Sequence, residues 1–169
     1  MAMLGLAACS GGPSGETSHG GNSESPTTQA GGSGGLAEFD PCSFLTSEDL
    51  NAAGVVGPGE AREQFKDEPG CGFEGEKTLL TLYKNQKQTV DSYKNNGQWD
   101  SYDSIGLNGR KAARGVAAGA TGQGACSLVV DAGGGVVIVD VVGITRDSVP
   151  DTCGEAEKVA RQIEPRLPK

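Results

Sequence analysis

The positions of five cysteines constrain this chain more than any other feature of its sequence. Cys9 lies near the N-terminus, whereas Cys42, Cys71, Cys126 and Cys153 are spread over the remaining residues. An even number of cysteines in an exported domain indicates disulfide bonds rather than free thiols. Two such bonds would limit the fold to one that brings four distant positions together in pairs.

Cys9 follows Leu6-Ala7-Ala8, a run of small residues that resembles the lipobox of bacterial lipoproteins. In those proteins the cysteine thiol is lipidated and becomes the new N-terminus. A secretory signal has a basic segment and about 7–15 apolar residues before the cleavage site, whereas Met1 to Ala8 contain no basic residue. We therefore expect residues 1–9 to be a truncated lipoprotein signal with a true start upstream. The alternative is a chance Ala-Ala-Cys in a cytosolic protein.

Residues 10–36 are mostly glycine, serine, threonine and proline, and they include His19, the single histidine of the chain. Such a segment cannot bury enough apolar surface to offset its conformational entropy. We expect a disordered linker over 10–36, which would hold a folded domain away from a membrane. Residues 37–169 then form one domain of ordinary size.

The charge balance restricts the partners of this domain. The chain has 22 acidic and 14 basic residues and a formal net charge of −8. Phosphate backbones would repel it, so nucleic acid is not expected as a ligand. Because no run of about 20 apolar residues occurs, membrane attachment would depend on a lipid at Cys9.

The first half of the domain predicts a helix followed by strands. Thr46 begins a pattern that resembles a capping box, and Gly54 stands where a helix would end. Residues 71–73 and 78–83 are typical of strands, and residues 88–95 predict a short helix.

The second half is rich in strand signals and closes with a helix. Asn108-Gly109 predicts a two-residue hairpin turn. Residues 126–130 and 136–142 predict two strands, of which the second is apolar on both faces and should be central. Thr152 is the expected N-cap of a last helix whose apolar residues are Ala156, Val159, Ala160 and Ile163. The order predicts an α+β fold, with a mainly antiparallel sheet packed against an N-terminal and a C-terminal helix.

Several short motifs resemble the actinobacterial lipoproteins that carry domain of unknown function 3558. They are Asp40-Pro41-Cys42-Ser43-Phe44-Leu45-Thr46, Gly70-Cys71-Gly72-Phe73, Gly109-Arg110 with Ala112, Cys126, Asp151-Thr152-Cys153 and Leu167-Pro168. The resemblance covers everything after the linker, and its cysteine pattern is the specific part. Phe73 and Lys111 depart from it, because the family more often has tryptophan and proline there. The resemblance implies a location and an architecture but no activity.

Four cysteines allow three disulfide pairings. Cys42 and Cys153 each lie at the start of a terminal helix, and Cys71 and Cys126 each lie at the start of a strand. We predict the bonds Cys42–Cys153 and Cys71–Cys126. The alternative of structural zinc is disfavoured, because no two of these cysteines are close in sequence.

The sequence offers little for catalysis, and we expect no catalytic residue, no metal and no cofactor. Mechanisms that use a serine or cysteine nucleophile with histidine need a histidine in the fold, and His19 lies in the linker. A pair of carboxylates remains the alternative. Its candidates are Asp100, Asp103, Asp131, Asp140 and Asp147.

Two clusters are candidates for a binding surface. The aromatic cluster is Tyr93, Trp99 and Tyr102, and the basic cluster is Arg110, Lys111 and Arg114. Exposed aromatic and arginine side chains often dominate binding energy, so we predict a surface of Trp99, Tyr102, Arg110 and Arg114. The alternatives are aromatic rings that pack a helix onto the sheet and basic residues that protect a strand edge.

These observations favour a lipid-anchored, extracytoplasmic binding or interaction module of the cell envelope, without enzymatic activity. Its partner would be an envelope protein or a wall component. A carrier of small apolar ligands is the first alternative and a carboxylate-pair glycan hydrolase the second. A carrier needs an apolar cavity, an interaction module an exposed patch, and a hydrolase two carboxylates in one cleft.

Overall fold

A computed structural model of the chain describes residues 35–95 and 99–169. The predicted signal over 1–9, its Cys9 and the predicted linker up to residue 34 lie outside the described residues. Leu36 is only 2 % exposed and belongs to the main hydrophobic core. The packed domain therefore includes the last residue that the linker prediction covered.

Two of the described helices precede the strands, one lies between the third and fourth strands, and one follows the last strand. They are α1 (Pro41–Phe44), α2 (Ser47–Ala52), α3 (Val90–Asn95) and α4 (Thr152–Ile163), and a 3₁₀ turn (Glu164–Arg166) follows the last. The predicted capping box is confirmed, because the Thr46 hydroxyl accepts from the Asp49 backbone N–H and the Asp49 carboxylate accepts from Thr46. Gly54 has a φ of +69° just past α2, a conformation that glycine adopts without strain.

In residues 35–95 and 99–169, seven strands form one sheet in which every neighbouring pair is antiparallel. The strands are β1 (Glu60–Glu63), β2 (Pro69–Glu74), β3 (Thr78–Asn85), β4 (Trp99–Leu107), β5 (Arg110–Ala117), β6 (Ala125–Ala132) and β7 (Gly135–Gly143). Their order across the sheet is β1-β2-β3-β7-β6-β5-β4. The apolar strand β7 lies at the centre, as predicted, and the α+β class is confirmed.

Each face of the sheet has its own hydrophobic cluster. Alternate residues of β7 divide between them, with Val137, Val139 and Val141 in the main core and Val136 and Ile138 in the second cluster. The predicted apolar residues of α4 pack in the main core, and Val90 of α3 packs in the second cluster. We call the two sides of the sheet the α4 face and the α3 face.

The four domain cysteines are all in disulfide bonds, but the predicted pairing is wrong. Cys42 is bonded to Cys71, and Cys126 is bonded to Cys153, with Cα atoms 5.0 Å apart in each bond. The prediction brought the starts of the two terminal helices together. Instead α1 packs on β2 and α4 packs on β6 and β7, so each helix is bonded to the strand beneath it.

Two elements differ from the sequence prediction. The N-cap of α4 is Asp151, whose carboxylate accepts from the Gly154 backbone N–H, and Thr152 is the first helical residue. Strand β1, which was not predicted from the sequence, lies in the charged segment before β2 and is the exposed edge strand beside it.

Candidate functional site

The structure divides the four predicted binding residues between the two faces of the sheet. The Trp99 ring lies over Gly115, since a Cβ atom on that glycine would come within 2.6 Å of it. Tyr102 is the register partner of Gly115 on β4 and shares this α3 face. Arg114 and Arg110 point to the opposite face, because side chains alternate along a strand. The four residues therefore do not form one surface, and this prediction is corrected.

Arg110 fixes the C-terminal segment to the sheet. Its Nε donates to Glu164 Oε1 at 2.6 Å, and its terminal nitrogens donate to the backbone oxygens of Asp131, Leu167 and Pro168. The Arg110 and Glu164 side chains are only 12 % and 11 % exposed. The hydrogen bond from Arg110 holds the pKa of Glu164 below its ordinary value. This geometry assigns Arg110 to folding rather than to contact with a partner.

The predicted basic cluster is also divided between the two faces. Lys111 reaches the α3 face, where its Nζ lies 2.9 Å from the Asp91 carboxylate of α3. Arg110 is bound to Glu164 on the α4 face, and Arg114 is partly buried on the same side. The three cations therefore do not converge on one anion site.

The aromatic residues attach α3 to β4. The ring centroid of Trp99 lies 6.3 Å from that of Tyr93 and 5.1 Å from that of Tyr102. Trp99 Nε1 donates to the Tyr93 backbone oxygen at 2.9 Å, and the Tyr102 hydroxyl donates to the Val90 oxygen at 2.7 Å. Burial, with the nearby Asp91 charge, raises the pKa of Tyr102 to about 12. The Tyr102 hydroxyl therefore stays a donor at neutral pH.

Trp99 and Tyr93 also line a cavity of about 340 Å³ on the α3 face, which we call the aromatic pocket. Its described lining residues are Gln64, Phe65, Glu68, Asn85, Gln88, Tyr93, Trp99, Ala117, Ala118 and Ser127. Phe65 is 64 % exposed although it is large and apolar. The pocket thus combines aromatic side chains with amides, one hydroxyl and one carboxyl.

Glu68 is the most buried polar residue of this pocket. It is 1 % exposed, and its Oε1 accepts a hydrogen bond from Asn85 Nδ2 at 3.2 Å. Burial raises the pKa of the Glu68 carboxyl, and the charge of Asp140 adds to this shift against the opposing effect of Asn85. The bond from Asn85 is the one hydrogen bond that the described residues give this carboxyl.

A second acid lies under the pocket, on the central strand. Asp140 of β7 is partly buried, and its Oδ1 accepts from the Ser127 hydroxyl at 2.6 Å. Burial raises the pKa of Asp140, and burial together with the Asp140 charge raises that of Tyr83. Asp140 therefore acts on the pocket through Ser127 and through its charge.

Of the carboxylates proposed from the sequence, Asp140 alone belongs to this region. The Asp100 carboxylate accepts from the backbone N–H groups of Gly119 and Thr121, so it caps a turn. Asp103, Asp131 and Asp147 are exposed. Sequence reasoning missed Glu68, because it lies among charged residues that are typical of a solvated loop. Its position directly before Pro69 and β2 was the one available sign that this carboxyl borders the sheet.

A larger cavity of about 490 Å³ lies between the end of α2, the β2–β3 turn and the loop before α4. Its described lining includes residues 51–54, 76–78 and 148–150, and none of the lining residues that the structure describes is aromatic. Its charged residues Glu76 and Lys77 are exposed. A functional site is better marked by convergent polar groups with shifted pKa values than by volume alone, so we take the aromatic pocket as the candidate site.

Two further properties concern the described part of the chain. Within 35–95 and 99–169, no three histidine, cysteine, aspartate or glutamate side chains form a group that could hold a metal ion. In the same ranges, no helix is long and apolar enough to span a membrane.

Comparison with known proteins gives one match. A family model described as "Protein of unknown function (DUF3558)" matches residues 4–166. No curated protein and no solved structure matches the chain. The family match confirms the resemblance to domain of unknown function 3558 that the sequence motifs predicted.

Proposed function

Because the chain belongs to the DUF3558 family, whose description names no activity, we propose a function from the site itself. The protein is a non-catalytic binding module of the cell envelope that takes a small ligand into the aromatic pocket. The observation that carries the proposal is the placement of Glu68. A carboxyl that is 1 % exposed lines a cavity of about 340 Å³ beside Trp99, Tyr93 and Phe65.

Burial of the Glu68 carboxyl lowers the stability of the fold, which suggests that the carboxyl has a role other than folding. A buried carboxyl loses hydration and regains one hydrogen bond from Asn85. Titratable groups with shifted pKa values are concentrated at functional sites, above all in cavities that also hold convergent polar groups. The exposed ring of Phe65 at the same cavity is a second unfavourable feature that a bound ligand would relieve.

The pocket supports a small polar or charged ligand better than a purely apolar one. The amides of Asn85 and Gln88 and the hydroxyl of Ser127 line the same space as the aromatic rings. An apolar ligand would offer no hydrogen bond to the polar atoms that line this space. The apolar-carrier alternative is therefore less well supported than binding of a ligand with its own polar groups.

A carboxylate-pair glycan hydrolase remains the second candidate, because Glu68 and Asp140 are close enough for the Asp140 charge to raise the pKa of Glu68. Glycosidases place two carboxyl groups on either side of the scissile bond. Here Glu68 lines the pocket, whereas Asp140 is absent from its lining and bonds to Ser127. One carboxyl facing a ligand suits binding better than hydrolysis.

We further propose that a lipid on Cys9 anchors the module at the extracytoplasmic face of the membrane. The lipobox-like residues before Cys9 support this, as do the two disulfides, which are typical of proteins outside the reducing cytosol. Detergent partitioning of the protein expressed with a lipoprotein signal peptide ahead of Cys9 should place it in the detergent phase and the variant Cys9→Ser in the aqueous phase. Equal partitioning of both would contradict the anchor.

Titration by nuclear magnetic resonance tests the pocket. The probes are N-acetylglucosamine, the dipeptide D-alanyl-D-alanine and choline, which represent wall sugars, wall peptides and organic cations. At least one should shift the Trp99 indole signal and the backbone signals of residues 64–68, 85–93 and 117–118 in a saturable manner. If none of the three does so, the pocket is not a binding site for small envelope components.

A matched pair of variants separates the two cavities. Ala118 is exposed and lines the aromatic pocket, and Ala52 is exposed and lines the larger cavity. Ala118→Phe should block binding while Ala52→Phe leaves it unchanged. The opposite result would move the proposed site to the larger cavity.

A further inference from the structure

We infer that the ligand of the aromatic pocket is a small organic cation that carries an alkylated ammonium group, held between the aromatic rings and the Glu68 carboxyl. This inference rests on the proposed binding function and goes beyond it by naming the chemical class of the ligand. Its basis is the combination of three aromatic side chains, one buried acid and no basic side chain in the described lining.

The aromatic residues provide the first part of the recognition. Phe65, Tyr93 and Trp99 all line the cavity, and the Tyr93 and Trp99 ring centroids are 6.3 Å apart. Ammonium groups are attracted to the faces of aromatic rings, most strongly to tryptophan, and cages of several rings are the usual recognition of quaternary ammonium ligands. The exposed ring of Phe65 would close such a cage from the 64–68 segment.

The acids provide the second part. Glu68 lines the cavity, and Asp140 lies next to it under Ser127. Of the cations on this face, Arg62 acts electrostatically on Tyr83 but pairs with Glu60 and Glu74. Lys87 pairs with Asp67, and Lys111 pairs with Asp91. Among the described residues, neither Glu68 nor Asp140 has an ion-pair partner. A bound ammonium ion would supply one.

The net charge of the whole chain also favours a cationic ligand. A formal net charge of −8 raises the local concentration of cations and repels anions. An anionic ligand would meet this repulsion and, inside the pocket, the acids as well. A neutral sugar would use the rings and amides without benefiting from either acid.

Trp99 gives a direct readout, because it is the one tryptophan in the chain. Choline is the cationic probe, and 3,3-dimethylbutanol, which has the same shape without the charge, is the neutral probe. Both are titrated into the intact domain at constant ionic strength while Trp99 fluorescence is recorded, and the dissociation constants are checked by nuclear magnetic resonance. We expect saturable binding of choline and at least about tenfold weaker binding of the neutral probe.

Variants of the two parts of the site sharpen the test. Glu68→Gln keeps the shape of the side chain and should weaken choline binding by about tenfold without changing the binding of 3,3-dimethylbutanol. Glu76→Gln is the matched control, since Glu76 is exposed at the larger cavity and the change in net charge is the same. Phe65→Leu changes an exposed ring and should weaken choline binding by about two- to fivefold.

Each outcome decides between the two proposals. Equal affinity for choline and 3,3-dimethylbutanol would overturn the cation inference, as would the same loss of choline affinity in Glu68→Gln and Glu76→Gln. Either result would leave a pocket that binds neutral ligands. A saturable response to N-acetylglucosamine or the dipeptide without any response to choline would do the same. Absence of a response to all probes would overturn the binding function together with the inference. If Glu68→Gln does not fold, Phe65→Leu and the neutral probe still test the inference.

Discussion

Replacement of Arg110 by alanine should lower the free energy of unfolding by about 3 kcal/mol. Breaking an ion pair at the surface costs about 0–1 kcal/mol, and breaking a buried one costs about 3–5 kcal/mol because a charge is left without a partner. The Arg110 and Glu164 side chains are 12 % and 11 % exposed, which places this pair near the buried limit. Arg110 also donates to three backbone oxygens, which the variant would leave without this donor.

Urea denaturation followed by Trp99 fluorescence measures this loss, and the slope of the transition shows whether the unfolded state has changed. Arg114→Ala is the matched control, because Arg114 lies four residues along the same strand and on the same face. It should cost less than about 1 kcal/mol. Glu164→Gln added to Arg110→Ala should recover part of the loss, since it removes the unpaired carboxylate.

The pH dependence provides a second check on the same pair. The pKa of Glu164 is lowered in the fold, so the stability that the pair contributes is present above the ordinary value of 4.5 and is lost as the pH falls through the lowered value. The difference between wild type and Arg110→Ala should therefore shrink in acid. A loss below about 1 kcal/mol at neutral pH, with impaired ligand or partner binding, would refute the folding role and return Arg110 to the binding surface predicted from the sequence.

Two other predictions concern the disulfides and the buried acid. Replacing Cys126 and Cys153 together by alanine should cost about 3.5 kcal/mol in urea denaturation, since their bond closes a loop with a sequence separation of 27; a loss below about 1 kcal/mol would contradict this. The pKa of Glu68 is raised in the fold, so the protonated carboxyl is the form that suits the folded state. The stability that this form contributes is present in acid and is lost as the pH rises through the raised pKa. The melting temperature of Glu68→Gln should therefore lie above that of wild type at neutral pH and close to it at about pH 4. A variant that melts lower at both pH values would show that the carboxylate stabilises the fold.

Local signals predicted the parts of the fold that local chemistry determines. The capping box of Thr46 needs residues three positions apart, and the turn at Asn108-Gly109 needs two residues that tolerate positive φ. The central position of β7 followed from valines on both of its faces. These features depend on near neighbours in the chain, and the structure confirms each of them.

Features that depend on distant packing were not predictable in the same way. The disulfide pairing depends on which strand lies under each helix, and no residue near Cys42 or Cys153 specifies that. The start of β4 at Trp99 could not be predicted from the sequence, because a register shift between Trp99 and Ser101 interrupts the alternation of its side chains. Glu68 is buried by segments that approach it from elsewhere in the fold, and its own surroundings in the sequence are charged.

The bonds Cys42–Cys71 and Cys126–Cys153 each join cysteines that follow one another along the domain. During synthesis each bond can therefore close as soon as its second cysteine emerges, and an oxidase alone suffices without an isomerase to reshuffle the partners. The first bond closes within a segment that contains α1, α2, β1 and β2. Strand β3, however, pairs with β7, which begins at Gly135 and is therefore synthesised much later. Until then the free edge of β3 can pair with another chain, so the interval between the two halves is the stage of biogenesis most exposed to aggregation.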